Sequence, residues 1–279
     1  MRGGAQSHLM LASDGQPYVV KFQNNPQHIR VLANELMATR LAESVGLSVP
    51  TCEVVEVTDW LIQNSRELSV DLGQSQEPCR AGLQFGSRLI GGLMSDQVMD
   101  YLPEDRLLEV KNLGEFAGML VIDKWTCNSN GRQAVFYKRP REKRYTATFI
   151  DQGYCFNAGE WKFIDAPLRG VYARNFVYRS VKGWESFEPW LSRVQEFDPQ
   201  IVWSIAETVP PEWYGGDLGE IEILIERLLE RRVRIQELIS LFRESSREPF
   251  PNWMKTTTVV LDRQFPEPEW TDTIRGSIN

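Results

Sequence analysis

Lys21 closes the short β-branched stretch YVVKF and stands fourteen residues before Glu35 in the next helical segment. Phosphoryl transfer needs cations on a triphosphate, and a lysine is best held there by a carboxylate from a neighbouring helix. Just ahead of that stretch, Arg2-Gly3-Gly4-Ala5-Gln6-Ser7 supplies glycines, which let backbone amides approach phosphate oxygens closely. The loop matches neither G-x-G-x-x-G nor a Walker A pattern, so Gly3, Gly4 and Ser7 are candidates by composition and place alone. Further along, DKWTCNSNGR (Asp123 to Arg132) gathers an acid, two asparagines and a glycine, and Asp151-Gln152-Gly153 follows the strand-like YTATFI. Amide and acid oxygens are hard ligands, suited to the magnesium that accompanies a nucleoside triphosphate. Asn128 and Asp151 are therefore candidate metal ligands, and Asp123 and Asn130 candidate catalytic residues. Taken singly, each feature also reads as structure: a surface ion pair, a loose terminus, a polar turn, a capping acid.

These residues need elements to position them. The turn Ser13-Asp14-Gly15-Gln16 predicts two strands joined into a hairpin. Asn25 as N-cap, Pro26 at the first helical position and Gly46 as the stop predict a helix. Its apolar stripe is Ile29, Leu32, Ala33, Leu36, Met37 and Leu41. Helical geometry sets Glu35 about 60° from Leu32, on the flank of that stripe, where it can turn inward to an ion pair. CEVVEV and WLIQ read as short strands, and the polar stretch from Asn64 to Arg80 as a loop. LQFGSRLI is strand-like, with Phe85, Gly86 and Ser87 as the candidate hinge that receives a base through backbone groups. Leu113, Phe116, Ala117, Leu120 and Val121 repeat as a helix running into the decapeptide. AVFYK and YTATFI form a hairpin around the basic turn RPREKR, long enough to return Asp151 toward Asn130. The remainder is mainly helical, with the strongest patterns in WESFEPWLSRVQEF and from Asp217 to Phe242. The order predicts an α+β fold: a β-rich N-lobe with one main helix (1–92), a larger mostly helical C-lobe carrying the hairpin (93–248), and a C-terminal tail (249–279).

Composition narrows the function classes. A net charge of −7 argues against a general nucleic-acid binder, which carries a basic field. Four well-separated cysteines and two histidines assemble no zinc-ligand spacing. No run approaches the ~20 apolar residues of a membrane span, and no leader is apparent, so the expected compartment is the cytoplasm with its thiols reduced.

The joint order of glycine loop, strand lysine, helix glutamate, polar loop, hairpin and Asp-x-Gly is far more specific than any member. YVVKFQNNPQHIRVLANELMATRLAESVGL, FAGMLVIDKWTCNSNGRQAVF and FIDQGYCFNAGEW together resemble the HipA-like kinase family, in particular its shorter branch of stand-alone kinase domains. The resemblance runs roughly from Gly3 to Phe242. It implies a protein-kinase-like two-lobed fold, ATP with Mg²⁺, and transfer to a serine or threonine hydroxyl of an unidentified protein substrate or regulatory partner. Asp151 then falls at a position similar to the magnesium-binding DFG aspartate. The family loop is similar to D-x-x-x-x-N-x-D-R/G followed by a further Asn, and Asp123 and Asn128 match it. Asn130 stands where the catalytic aspartate is expected, and Val135 where the later metal-ligand asparagine is expected. An amide orients a hydroxyl but does not take its proton at neutral pH. A rival alignment uses the five-residue spacing of H-R-D-x-x-x-x-N, making Asp123 the base and Asn128 a metal ligand. Two functions follow: a weak or atypical ATP- and Mg²⁺-dependent phosphotransferase, or a pseudokinase that binds nucleotide or partner without transfer.

Overall fold

The computed structural model describes residues 4–91 and 97–254. The first half holds β1 (His8–Leu11), β2 (Pro17–Lys21), α1 (Val31–Ser44), β3 (Cys52–Val57), α2 (Asp59–Asn64), β4 (Ser69–Asp71), β5 (Gln76–Pro78) and β6 (Gly82–Arg88). The second holds β7 (Gln97–Met99), α3 (Glu104–Leu107), α4 (Glu115–Trp125), β8 (Gln133–Lys138) and β9 (Thr146–Ile150), then α5 (Trp190–Gln195), α6 (Pro199–Glu207), α7 (Leu218–Arg231) and α8 (Ile235–Arg243). The architecture is α+β, with a small antiparallel-sheet lobe and a larger, mainly helical one. The boundary expected at residue 92, Gly3 and the tail from residue 255 lie outside the described residues.

The small sheet has the order β1-β2-β6-β3, antiparallel throughout. Strand alternation gives its two faces different duties. Tyr18 and Val20 point to an outer core shared with Phe22, Val57, Leu68, Val70 and Cys79. Val19 and Lys21 point the other way, into a cleft. On that inner side Cys52 and Phe85 join α1 in the large core, which runs without a break through α4 to α7 and α8. Helix α1 is accordingly buried almost all round rather than along one stripe, as a helix wedged between two layers must be.

Several local expectations are corrected. Helix α1 begins at Val31, not beside Pro26: the Asn25 carboxamide accepts from the Gln27 amide at 2.8 Å, making a turn, and Ile29 is exposed. Its end agrees with the sequence reading. Gly46 takes φ +83°, and the Leu47 amide reaches back to the Ala42 carbonyl. The run WLIQ lies in helix α2, whose Thr58 hydroxyl caps the Leu61 amide; three apolar residues in a row fit either element by period. The polar stretch after Asn64 contains the β4–β5 hairpin. The long helix expected to Phe242 is broken by a tight turn at 232–234 into α7 and α8, which lets Leu238, Ile239 and Phe242 face the core. Among the described residues, no helix is long and apolar enough to cross a membrane.

Candidate active site

Lys21 ends β2, opposite Phe85 of β6, with its side chain directed at α1. The ammonium donates to the Glu35 carboxylate and, at 2.9 Å, to Asp151 Oδ1. Glu35 also accepts from the backbone amides of Gln152 and Gly153, each at 2.9 Å. Burial, with the Asp151 charge beside it, holds the Glu35 carboxyl above the ordinary glutamate value against the pull of Lys21 and the Gln152 amide. Gly153 is required for this contact, since a Cβ there would lie 2.6 Å from Val31 Cγ2. Burial pulls the Lys21 ammonium down, but the two carboxylates outweigh it and hold its pKa above the usual lysine value. Burial pushes the Asp151 carboxyl up, but the Lys21 ammonium, with Arg132 behind it, outweighs burial and holds it below the ordinary aspartate value. Asp151 has φ +63°, a left-handed conformation uncommon outside glycine and concentrated at functional sites.

The segment after Asp151 is fastened to the same helix. Asn34, fully buried beside Glu35, donates to the carbonyls of Gly153, Cys155 and Ala158 and accepts from the Trp161 indole at 2.8 Å. Nothing in the sequence marks Asn34 beyond its being polar in an apolar stretch.

Above Lys21 opens a cleft of about 340 Å³. Residues 4–7 form one lip, anchored by Gln6, whose amide exchanges two 2.7 Å bonds with the Asp71 backbone. Val19, Phe85, Leu89, Ile90, Val135 and Ile150 supply apolar walls. Gly4, Ser7 and Ser87 also line it, whereas Gly86 faces away, its α-carbon covered by Val55 and Tyr18. The hinge expected at Phe85-Gly86-Ser87 is corrected: these residues pair with β2 on one side and β3 on the other, so their backbone groups serve the sheet. The chain leaves the sheet only after Arg88, through Leu89 and Ile90.

The decapeptide splits between two duties. Asp123 is 2% exposed, both its oxygens bind the Arg132 guanidinium, and Oδ1 also accepts from Asn128 at 2.9 Å. Arg132 donates further to the Ile150 carbonyl at 2.8 Å. The rival alignment is thereby corrected: a carboxylate closed inside this pair does not reach a substrate hydroxyl. Asn128 is equally buried, and its amide oxygen accepts from the Asn130 amide at 3.0 Å, so it does not reach the cleft as a metal ligand. Asn130 is exposed, with its side-chain oxygen accepting from the Gly131 amide at 2.8 Å, and it lies outside the cleft wall. Sequence reasoning missed two residues here, Arg132 behind the loop and Gln133 in the cleft wall. Arg132 fixes the loop, and the Gln133 amide donates to Asp151 Oδ2 at 2.6 Å. The available signal for Gln133 is strand alternation, which puts it on the same face as Val135.

Lys124, also buried, donates to the carbonyls of Pro167 and Arg169 at 2.9 and 2.7 Å. Burial lowers its pKa from 10.5 to about 8, with Asp123 pulling up and Arg231 pushing down. Between those two values the unfolded chain binds more protons than the folded one, so this residue's contribution to stability rises with pH by up to ~1.4 kcal/mol per unit. Urea unfolding of the wild type and Lys124→Met across that window is expected to show a difference that grows in the wild type's favour as pH rises. A pH-independent difference would exclude the shift.

The HipA-like kinase family model matches residues 1–132. No curated protein matches the chain. Among solved structures, the Helicobacter pylori proinflammatory kinase CtkA superposes with a TM-score of 0.53 at 13% identity, covering 84% of this chain and 93% of that one. The Golgi casein kinase gives 0.51 at 11% identity over 88% of this chain and 72% of its own. Hydra Fam20 gives 0.50 at 10% identity over 88% and 83%. At these identities the superpositions speak for the fold. The family that this chain resembles, over residues 1–132, is the HipA-like kinases, and its fold is kinase-like.

Proposed function

We propose that the cleft binds ATP and that the chain is an atypical phosphotransferase acting on a protein hydroxyl. The observation that carries this reading is Lys21, held between Glu35 and Asp151 at the floor of an apolar-walled cleft. The donor set fits a triphosphate. Lys21 needs only a small swing from Asp151 to reach phosphate oxygens, with Glu35 still orienting it, and the backbone of residues 4–7 offers amides from the lip. The apolar walls suit a purine, and the chain leaving the sheet at Leu89 and Ile90 suits its edge.

Magnesium fits more sparsely. Among the described residues no group of three or more His, Cys, Asp or Glu is placed to hold a metal. Mg²⁺ is commonly held by one or two carboxylates plus substrate phosphates, which leaves Asp151 as the protein's carboxylate for one ion. Such an ion would offset charge on the triphosphate. Asn130 orients an acceptor hydroxyl at most, and since positioning and charge dominate phosphoryl transfer, slow chemistry survives the loss of a base.

A second reading, a pseudokinase that binds nucleotide or a partner without transfer, is favoured by two residues: exposed Asn130 and hydrocarbon at Val135. Calorimetric titration with ATP and Mg²⁺, paired with a phosphate-release assay, separates the two. Binding with slow turnover that Asp151→Ala abolishes supports transfer, and binding without turnover supports the pseudokinase. An absence of binding up to millimolar ATP would overturn the phosphotransferase and leave of the second reading only a partner-binding module.

A further inference from the structure

Across the β8–β9 hairpin Gln133 lies opposite Ile150, and Asp151 follows directly. This register brings the Gln133 amide to the Asp151 carboxylate, with Nε2 and Oδ2 2.6 Å apart. That is short for an N–H···O bond. Adjacent oxygens around an octahedral Mg²⁺ with 2.0–2.1 Å bonds stand about 2.9 Å apart, so an opening of about 0.3 Å would suit the two side chains to one ion. Lys21 engages the other carboxylate oxygen, Oδ1, so Oδ2 is the one turned toward Gln133.

Gln133 lies on the wall that carries Asp151, touches Oδ2 directly and has a further oxygen to offer. Val135 and Ile150, on the same wall, bring only hydrocarbon. The Asn128 oxygen is taken by the Asn130 amide, and Glu35 is occupied by Lys21, Gln152 and Gly153. Resting on the reading that the cleft binds ATP, we infer that Gln133 is a metal-ligating residue, pairing its amide oxygen with Asp151 Oδ2 to hold one Mg²⁺ on the triphosphate. A half-turn of the amide about Cγ–Cδ exchanges Nε2 for Oε1. Without the ion the amide donates to Asp151; turned over, it would present Oε1 beside Asp151 Oδ2 as the two protein oxygens for the ion.

A carboxamide is the side chain this double duty needs, because it carries a donor and an acceptor on one rotatable plane. An alanine here provides neither. A glutamate provides the oxygens but repels the Asp151 carboxylate when no ion lies between them.

The test is calorimetric titration of the full chain with ATP, in Mg²⁺ and in EDTA, for the wild type, Gln133→Ala and Gln133→Glu. The quantity read is each protein's ratio of Kd in EDTA to Kd in Mg²⁺. The wild-type ratio is expected to exceed that of Gln133→Ala by about tenfold or more, since even partners one shell beyond a metal carry 10–100-fold. Gln133→Glu is expected to keep or raise the ratio, which a merely structural role would not do. Equal ratios in the wild type and Gln133→Ala, or a ratio lost in both variants, overturn the assignment while leaving the nucleotide site standing. No ATP binding by the wild type in either condition overturns the nucleotide reading itself, and this inference with it.

Discussion

Arg132→Met is expected to lower the unfolding free energy by about 3–5 kcal/mol, the usual cost of removing one partner from a buried ion pair. Both side chains are about 1% exposed. The methionine fills much of the arginine's volume but leaves the Asp123 carboxylate with the Asn128 amide as its remaining side-chain donor. The Ile150 carbonyl loses a donor as well, one residue before the left-handed turn at Asp151. Set against a total stability of about 5–15 kcal/mol, the loss is severe. Urea denaturation measures it, and a double-mutant cycle with Asp123→Asn isolates the pair, the double variant recovering part of the loss. A cost below about 1 kcal/mol would mean that the pair is open to solvent.

Lys21→Met is expected to remove nucleotide affinity and to reshape the pH dependence of folding. Two charge-assisted hydrogen bonds to phosphate are together worth about 3 kcal/mol or more, which is roughly a hundredfold in Kd. The pH signature is independent of nucleotide. In the wild type the depressed Asp151 contributes stability above its unfolded pKa that is lost as pH falls, and the raised Lys21 contributes stability that is lost only at strongly alkaline pH. Without the ammonium, Glu35 and Asp151 face each other in a buried site, and one of them takes a proton. The variant's deficit in stability should therefore shrink as pH is lowered from neutrality. Denaturant midpoints for both proteins from neutral to mildly acidic pH check it, and a deficit that grows toward acid would refute the account.

The sequence carried the order of the site better than its orientation. Lys21, Glu35 and Asp151 were legible because strand, helix and Asp-x-Gly each have a local signature, and the structure brings the three side chains together. Which residues of DKWTCNSNGR face the cleft was not legible. That depends on Arg132 turning back to Asp123 across nine residues, a contact with no periodicity to betray it. The hinge failed for a related reason: a glycine inside a strand marks close approach as readily as a bend, and at Gly86 the neighbours are Val55 and Tyr18. The start of α1 was misplaced because Asn25-Pro26 suits a turn as well as a cap. The α+β division survived these errors, since it rests on the gross alternation of short apolar runs and long helical ones.

The continuity of α1 with the core of the helical half has a mechanical consequence. A helix sealed on nearly every side is a keystone and not a lever, so Glu35 keeps one address whatever happens at the mouth of the cleft. Swinging this helix outward to uncouple lysine from glutamate would tear open the packing that holds the molecule together. Movement at the lip, residues 4–7, disturbs far less of that packing.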